Sequence, residues 1–182
     1  TIKVTAEAMN LRPDTARLVG VSLAGRDRRG DRLPPAYVPV RWREQTPPEP
    51  GASATLFPAG RERDGLDEVR PLLAPVLAGS GRPKIGQNLK FDEWILGRHG
   101  LPLGGERFDT MLASYLLEPG RHSRGLDDLV LEHLQHRMMS YADLFGRGDR
   151  RRDILAVDPD RLALYAADEP GLFLHGLGRG RD

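Results

Sequence analysis

The sequence predicts an α/β domain built on a mixed β-sheet flanked by helices. Three observations carry that prediction: two runs rich in β-branched residues near the N-terminus, a strand–turn–helix succession that starts at Pro83, and apolar residues at helical spacing through most of the C-terminal half. Ile2-Lys3-Val4 and Arg17 to Leu23 read as two antiparallel strands separated by a turn at Pro13-Asp14. Tyr37-Val38-Pro39-Val40 reads as a third, and Pro39, which has no N–H to donate, points to an edge position or an outward-facing nitrogen. From 44 to 63 the chain is dense in Pro, Gly, Ala and Ser with no period, the pattern of a surface loop. Leu66, Val69, Leu72, Leu73, Val76 and Leu77 then follow helical spacing, with Asp64 as N-cap and Pro71 and Pro75 as sites of weakening or kinking. Pro83 to Gly86 reads as a strand and Leu89 to His99 as a helix closed by Gly100. Phe108 to Leu117, Leu126 to His136 and Asp160 to about Leu177 complete the helical pattern, the last opened by Asp158-Pro159.

Composition narrows the chemistry. With 182 residues, 39% of them hydrophobic and 29% charged, the chain fits one globular domain, read as 1–178 with a tail at 179–182. Twenty-seven basic residues against 26 acidic ones leave a formal charge of +1, so any contact with a polyanion rests on local groups. The absence of cysteine excludes thiol nucleophiles, disulfides and Cys-ligated metals, and leaves carboxylate and imidazole chemistry. No apolar run reaches the ~20 residues that span a bilayer, and the first residues lack a signal-peptide layout. The expectation is a cytoplasmic, monomeric protein.

The densest chemical signal is Gly86-Gln87-Asn88-Leu89-Lys90-Phe91-Asp92, followed by Phe108-Asp109-Thr110-Met111-Leu112. Taken alone, Asp92 is either a first-turn helix partner or a ligand, and Asp109 either an N-cap or a support for a site. The five histidines have no metal-binding spacing. The cluster Arg150-Arg151-Arg152, with Arg147, is either a solvated loop or a phosphate contact.

These two segments resemble the second motif and the segment after it in the proofreading 3'-5' exonuclease domain of family A DNA polymerases. The resemblance continues through Ser114 to Leu117, Leu126-Asp127-Asp128-Leu129 and Tyr165-Ala166-Ala167, and more loosely through Leu18 to Ser22. It implies a ribonuclease H-like fold and a nuclease acting on the 3' end of single-stranded DNA, with a polymerase domain C-terminal to it. It also implies two divalent cations, Mg or Mn, held by carboxylates of three motifs. Carried onto this sequence, Asp92 is the metal-site carboxylate of the second motif, and Asn88, Lys90 and Phe91 lie where substrate is held. The first motif, Asp-x-Glu, falls on Thr5-Ala6-Glu7: Glu7 matches and Thr5 replaces the Asp. In the third motif, Tyr165 would orient the attacking water, with Asp168 and Glu169 where the family has Glu then Asp, and Pro170 directly after. Catalytic roles thus fall on Glu7, Asp92, Tyr165 and Glu169, and metal ligation on Glu7, Asp92, Asp168 and Glu169. The altered motifs imply weakened or lost hydrolysis and put two-site metal binding in doubt. The alternative is an inactive DNA-binding or structural domain beside a polymerase, and a third reading is a ribonuclease on a related fold.

Overall fold

A computed structural model describes residues 1–9, 12, 15–27, 29–44, 60–146, 153–158 and 160–166. Three antiparallel strands open the chain, β1 (Ile2–Ala8), β2 (Leu18–Gly25) and β3 (Ala36–Pro39). A strand–helix succession follows: β4 (Arg41–Arg43), β5 (Glu62–Asp64), α1 (Leu66–Ala78), β6 (Lys84–Gly86), α2 (Leu89–Arg98), β7 (Arg107–Asp109), α3 (Thr110–Leu117), α4 (Leu126–Leu134) and α5 (Tyr141–Phe145). A 3-10 turn, Ile154–Ala156, and a helical stretch at 160–166 complete the described chain.

The main sheet has the order β3-β2-β1-β6-β7, antiparallel from β3 to β1 and parallel from β1 to β7. The mixed sheet expected from the sequence is therefore present, and β3, with Pro39, is an edge strand. Val4, Ala6 and Val21 face α1 and α2 and pack with Leu73, Leu77, Leu89, Ile95 and Leu96. A second cluster joins Val19 to Leu144, Phe145, Ile154, Leu155, Val157 and Leu162. Burial of these two sets drives the layering. His99 ties the layers locally: Nδ1–H donates to Ile95 O at 2.8 Å, and Nε2 accepts from the Leu18 N–H at 3.3 Å.

Several sequence expectations need correction. The loop read over 44–63 ends early, because Glu62–Asp64 is β5 and pairs with β4; 45–59 lie outside the described residues. Two three-residue strands carry no period of their own, and here the buried Arg41, bridging to Glu62 and Asp64, ties them together. The cap of α1 is Gly65, while Asp64 accepts from the Leu66 N–H two residues on. The same helix continues through Pro71 and Pro75, with Leu73 and Leu77 buried between and after them. Phe108 belongs to a strand, not a helix: β7 takes Arg107–Asp109 onto β6 before α3 starts. The expected turn at Pro13-Asp14, the basic run 150–152 and the final helix beyond 166 lie outside the described residues.

Candidate active site

The site is organised by the turn between β6 and α2. Gly86 suits a close approach: a Cβ there would stand 2.6 Å from Leu89 Cδ1 and 3.2 Å from Val4 O, so a side chain would have to displace Leu89 and crowd β1. Asn88 adopts φ 56°, ψ 43°, a left-handed conformation that Asn tolerates better than most residues, and turns the chain into α2. That turn exposes the first N–H groups of the helix, which need acceptors. Asp109 supplies them: Oδ1 accepts from Asn88 at 3.1 Å and Oδ2 from Leu89 at 2.8 Å. The same carboxylate caps α3 by accepting from Met111 at 2.9 Å. Asp109 is thus the N-cap of α3 and also serves the start of α2, because one carboxylate has enough lone pairs for two helix starts. Thr110 Oγ1 donates to Gly86 O at 3.1 Å, and Gln87 Nε2 to Arg124 O at 2.7 Å, which closes the turn.

One turn into α2, Asp92 points back at the sheet. It is buried, and its Oδ1 accepts from the Ala6 N–H at 3.1 Å. The pairing of β6 with β1 stops at Lys3, so Ala6 lies beyond the parallel ladder and Asp92 takes its N–H instead. That N–H lies between residues 5 and 7, so the geometry brings the second-motif carboxylate against the first motif. Lys90 is exposed on α2, and Phe91 is half-buried against the first core cluster.

The first motif occupies β1. Thr5 and Glu7 are half-buried on the face opposite Val4 and Ala6. Across β2, Thr5 is paired with Ser22 and Glu7 with Gly20, and a register shift between Glu7 and Ala8 ends the regular ladder. The Tyr37 ring lies over Gly20: a Cβ there would be 2.2 Å from the phenolic oxygen. Burial first, and then the Glu7 carboxylate beside it, push the Tyr37 phenol above its ordinary range. Tyr165 is half-buried at the edge of the second cluster, its ring edge-on to Phe145 with centroids 6.3 Å apart. The same cluster is flanked by Tyr37, so both tyrosines border one layer. Asp168 and Glu169 lie outside the described residues. Among the described residues no group of three His, Asp or Glu is placed to hold a metal ion.

Sequence reasoning missed Ser22 and Tyr37. The signal available was the alternation in Gly20-Val21-Ser22-Leu23, which puts Ser22 on the face of Gly20 once the register to β1 is known. His133 and His136 are exposed, as solvated surface residues would be.

Comparison with known proteins agrees with this architecture. A family model described as 3'-5' exonuclease, of the DNA polymerase A type, matches residues 53–168. The DNA polymerase I of Rhizobium leguminosarum is 33% identical over 175 residues, covering 92% of this chain and 16% of that protein. That of Pseudomonas aeruginosa is 27% identical over 175 residues, covering 95% of this chain and 17% of that protein. The chain therefore spans about a sixth of the length of these relatives. Among solved structures, Brucella melitensis NrnC bound to pGG superposes with a TM-score of 0.61 at 21% identity, over 97% of this chain and 69% of that one. NrnC has also been captured with bound Mg2+, with a TM-score of 0.59. The POL domain of Pol1 from M. smegmatis, in complex with DNA primer-template and dNTP, gives 0.52 at 22% identity, over 98% of this chain and 24% of that one. These neighbours share the ribonuclease H-like fold. The chain belongs to the 3'-5' exonuclease domain family of family A DNA polymerases.

Proposed function

We propose that this domain receives the 3' end of a single-stranded DNA as a proofreading exonuclease does, with two-metal hydrolysis weakened, beside a polymerase domain C-terminal to it. One observation carries the reading. Asp92 is seated against the Thr5–Ala6 peptide, while the side chain at position 5 is a neutral hydroxyl. The second motif is in place, and the first lacks the charge that would be shared between two ions.

The donor set fits one hard cation. Glu7 and Asp92 would supply oxygen ligands from two elements that meet at Ala6. Asp168 or Glu169 would add the third-motif carboxylate, and a cation so held supplies Lewis-acid polarisation of a phosphate and a more acidic water. Position 5 does not fit a second ion, because a threonine hydroxyl brings no charge to offset the loss of hydration. The chain's own groups do the remaining work. The Asn88 turn and the exposed Lys90 are placed to meet the incoming strand, with Lys90 as a point charge for phosphate. Phe91 offers an apolar edge to the terminal base. Tyr165, edge-on to Phe145, would hold the attacking water.

The test is a 5'-labelled single-stranded DNA incubated with Mg2+ or Mn2+, beside Asp92→Ala and Thr5→Asp. We expect slow shortening from the 3' end, none in Asp92→Ala, and a gain of about a hundredfold or more in Thr5→Asp, since a charge-stabilising ion contributes several kcal/mol. DNA that is bound but not shortened by either the parent or Thr5→Asp would overturn hydrolysis and leave a binding or architectural domain. Preference for a matched RNA 3' end would overturn the DNA assignment.

A further inference from the structure

The sheet face that carries Thr5 and Glu7, continued across β2 and β3, holds two hydroxyls that the described residues do not satisfy. Ser22 is fully buried, and its Oγ has no hydrogen-bond partner among the described residues; the same holds for Tyr37 Oη. Buried hydroxyls are nearly always bonded, because leaving one unpaired is costly. Ser22 stands directly opposite Thr5 in the antiparallel ladder. Side chains so paired have their Cβ atoms about 5 Å apart, within reach of a hydrogen bond from a seryl oxygen to a carboxylate. On the other side of the same residue, the Thr5–Ala6 peptide is held by Asp92. Position 5 is thus framed by a fixed carboxylate and by a donor that lacks an acceptor.

We propose that Ser22 is a positioning residue, the donor that would hold a carboxylate or amide oxygen at position 5; the Thr5 hydroxyl does not bond it. In this chain position 5 is Thr, where the resemblance puts an Asp. The inference rests on the exonuclease reading for the identity of that acceptor. Its physical content, a coupling between positions 5 and 22, does not depend on activity. Removing the hydroxyl should therefore have opposite consequences in two backgrounds. With Thr5 present, Ser22→Ala removes an unpaired polar group and leaves a methyl in a buried space. With an acidic residue at 5, the same change removes the only partner proposed for it on β2.

The experiment is a four-protein cycle of the parent, Ser22→Ala, Thr5→Asp and the double variant, read by urea unfolding and by Mn2+ binding in a calorimeter. In the Thr5 parent we expect Ser22→Ala to leave the unfolding constant unchanged or lower it. In the Thr5→Asp background we expect the same substitution to raise that constant about tenfold. Mn2+ should bind more tightly to Thr5→Asp than to the parent, and the double variant should lose several-fold of that gain while the KM for single-stranded DNA stays put. Equal effects of Ser22→Ala in both backgrounds, within twofold, would overturn the proposal. Should Thr5→Asp not fold, the cycle is repeated with Thr5→Asn, whose amide oxygen is a neutral acceptor, and the same criterion applies. Coupling without any shortening of DNA by Thr5→Asp would uphold Ser22 and sink the exonuclease reading, so the two failures are distinguishable.

Discussion

The two flanks of β1 differ in how completely their polar groups are paired. On the parallel flank, Asp109 gathers the N–H groups of Asn88, Leu89 and Met111, Asp92 takes that of Ala6, and Lys84 Nζ donates to Gly79 O, Arg82 O and Gly104 O at 2.6–2.9 Å. On the antiparallel flank, Ser22 Oγ and Tyr37 Oη are buried without a hydrogen-bond partner among the described residues. A flank whose buried donors close on acceptors is stable on its own terms. A flank with surplus donors is shaped for something further.

This comparison breaks if the paired flank tolerates truncation. The largest effect is expected for Asp109→Ala, which strands the starts of α2 and α3 together and should cost about 3 kcal/mol by urea unfolding. A loss below about 1 kcal/mol would mean that water replaces the carboxylate. Lys84→Met comes next, at about 2 kcal/mol, since three carbonyls lose a charged donor from a site that burial closes to water. Its ammonium is already disfavoured, first by burial and then by Arg82 and Arg107, which keeps the expected loss below that of Asp109.

The smallest effect sharpens the contrast. Tyr37→Phe should change stability by less than about 1 kcal/mol at neutral pH, in the stabilising direction, because it removes a hydroxyl without a partner. It should also alter the alkaline limb. The folded phenol is shifted upward, so the unfolded chain releases its proton first, from about pH 10, and stability is lost as pH rises from there. In Tyr37→Phe that part of the loss should vanish. A parallel fall in both proteins would refute the assignment.

How much of this was legible depended on how local the cause was. The Gly86–Asp92 turn could be read because its residues act on near neighbours: Gly86 for approach, Asn88 for the left-handed turn, Asp92 in the first turn of α2. Asp109 was legible only as an ambiguity, since half of its bonds go to residues 20 and 21 positions away. The strands β5 and β7 were hidden because three residues show no period, and the ladders that define them are formed with distant segments. Ser22 signalled only the face it shares with Gly20, since its significance is a register.

By itself the sequence determined the mixed α/β class, the order of the longer elements, the intact second motif with Asp92, and the presence of Thr5 where the related pattern has an acid. The class and the order of elements follow from periodicity, turn chemistry and residue type, which act over a few positions along the chain; the second motif and the acid expected at position 5 are what the resemblance implies. Only the tertiary structure decided that Asp92 bonds Ala6 between residues 5 and 7, that one carboxylate at 109 serves two helices, and that a buried serine stands opposite Thr5. Those are pairings between strands and helices distant in sequence, and sheet register is fixed by the burial of whole faces rather than by any single residue.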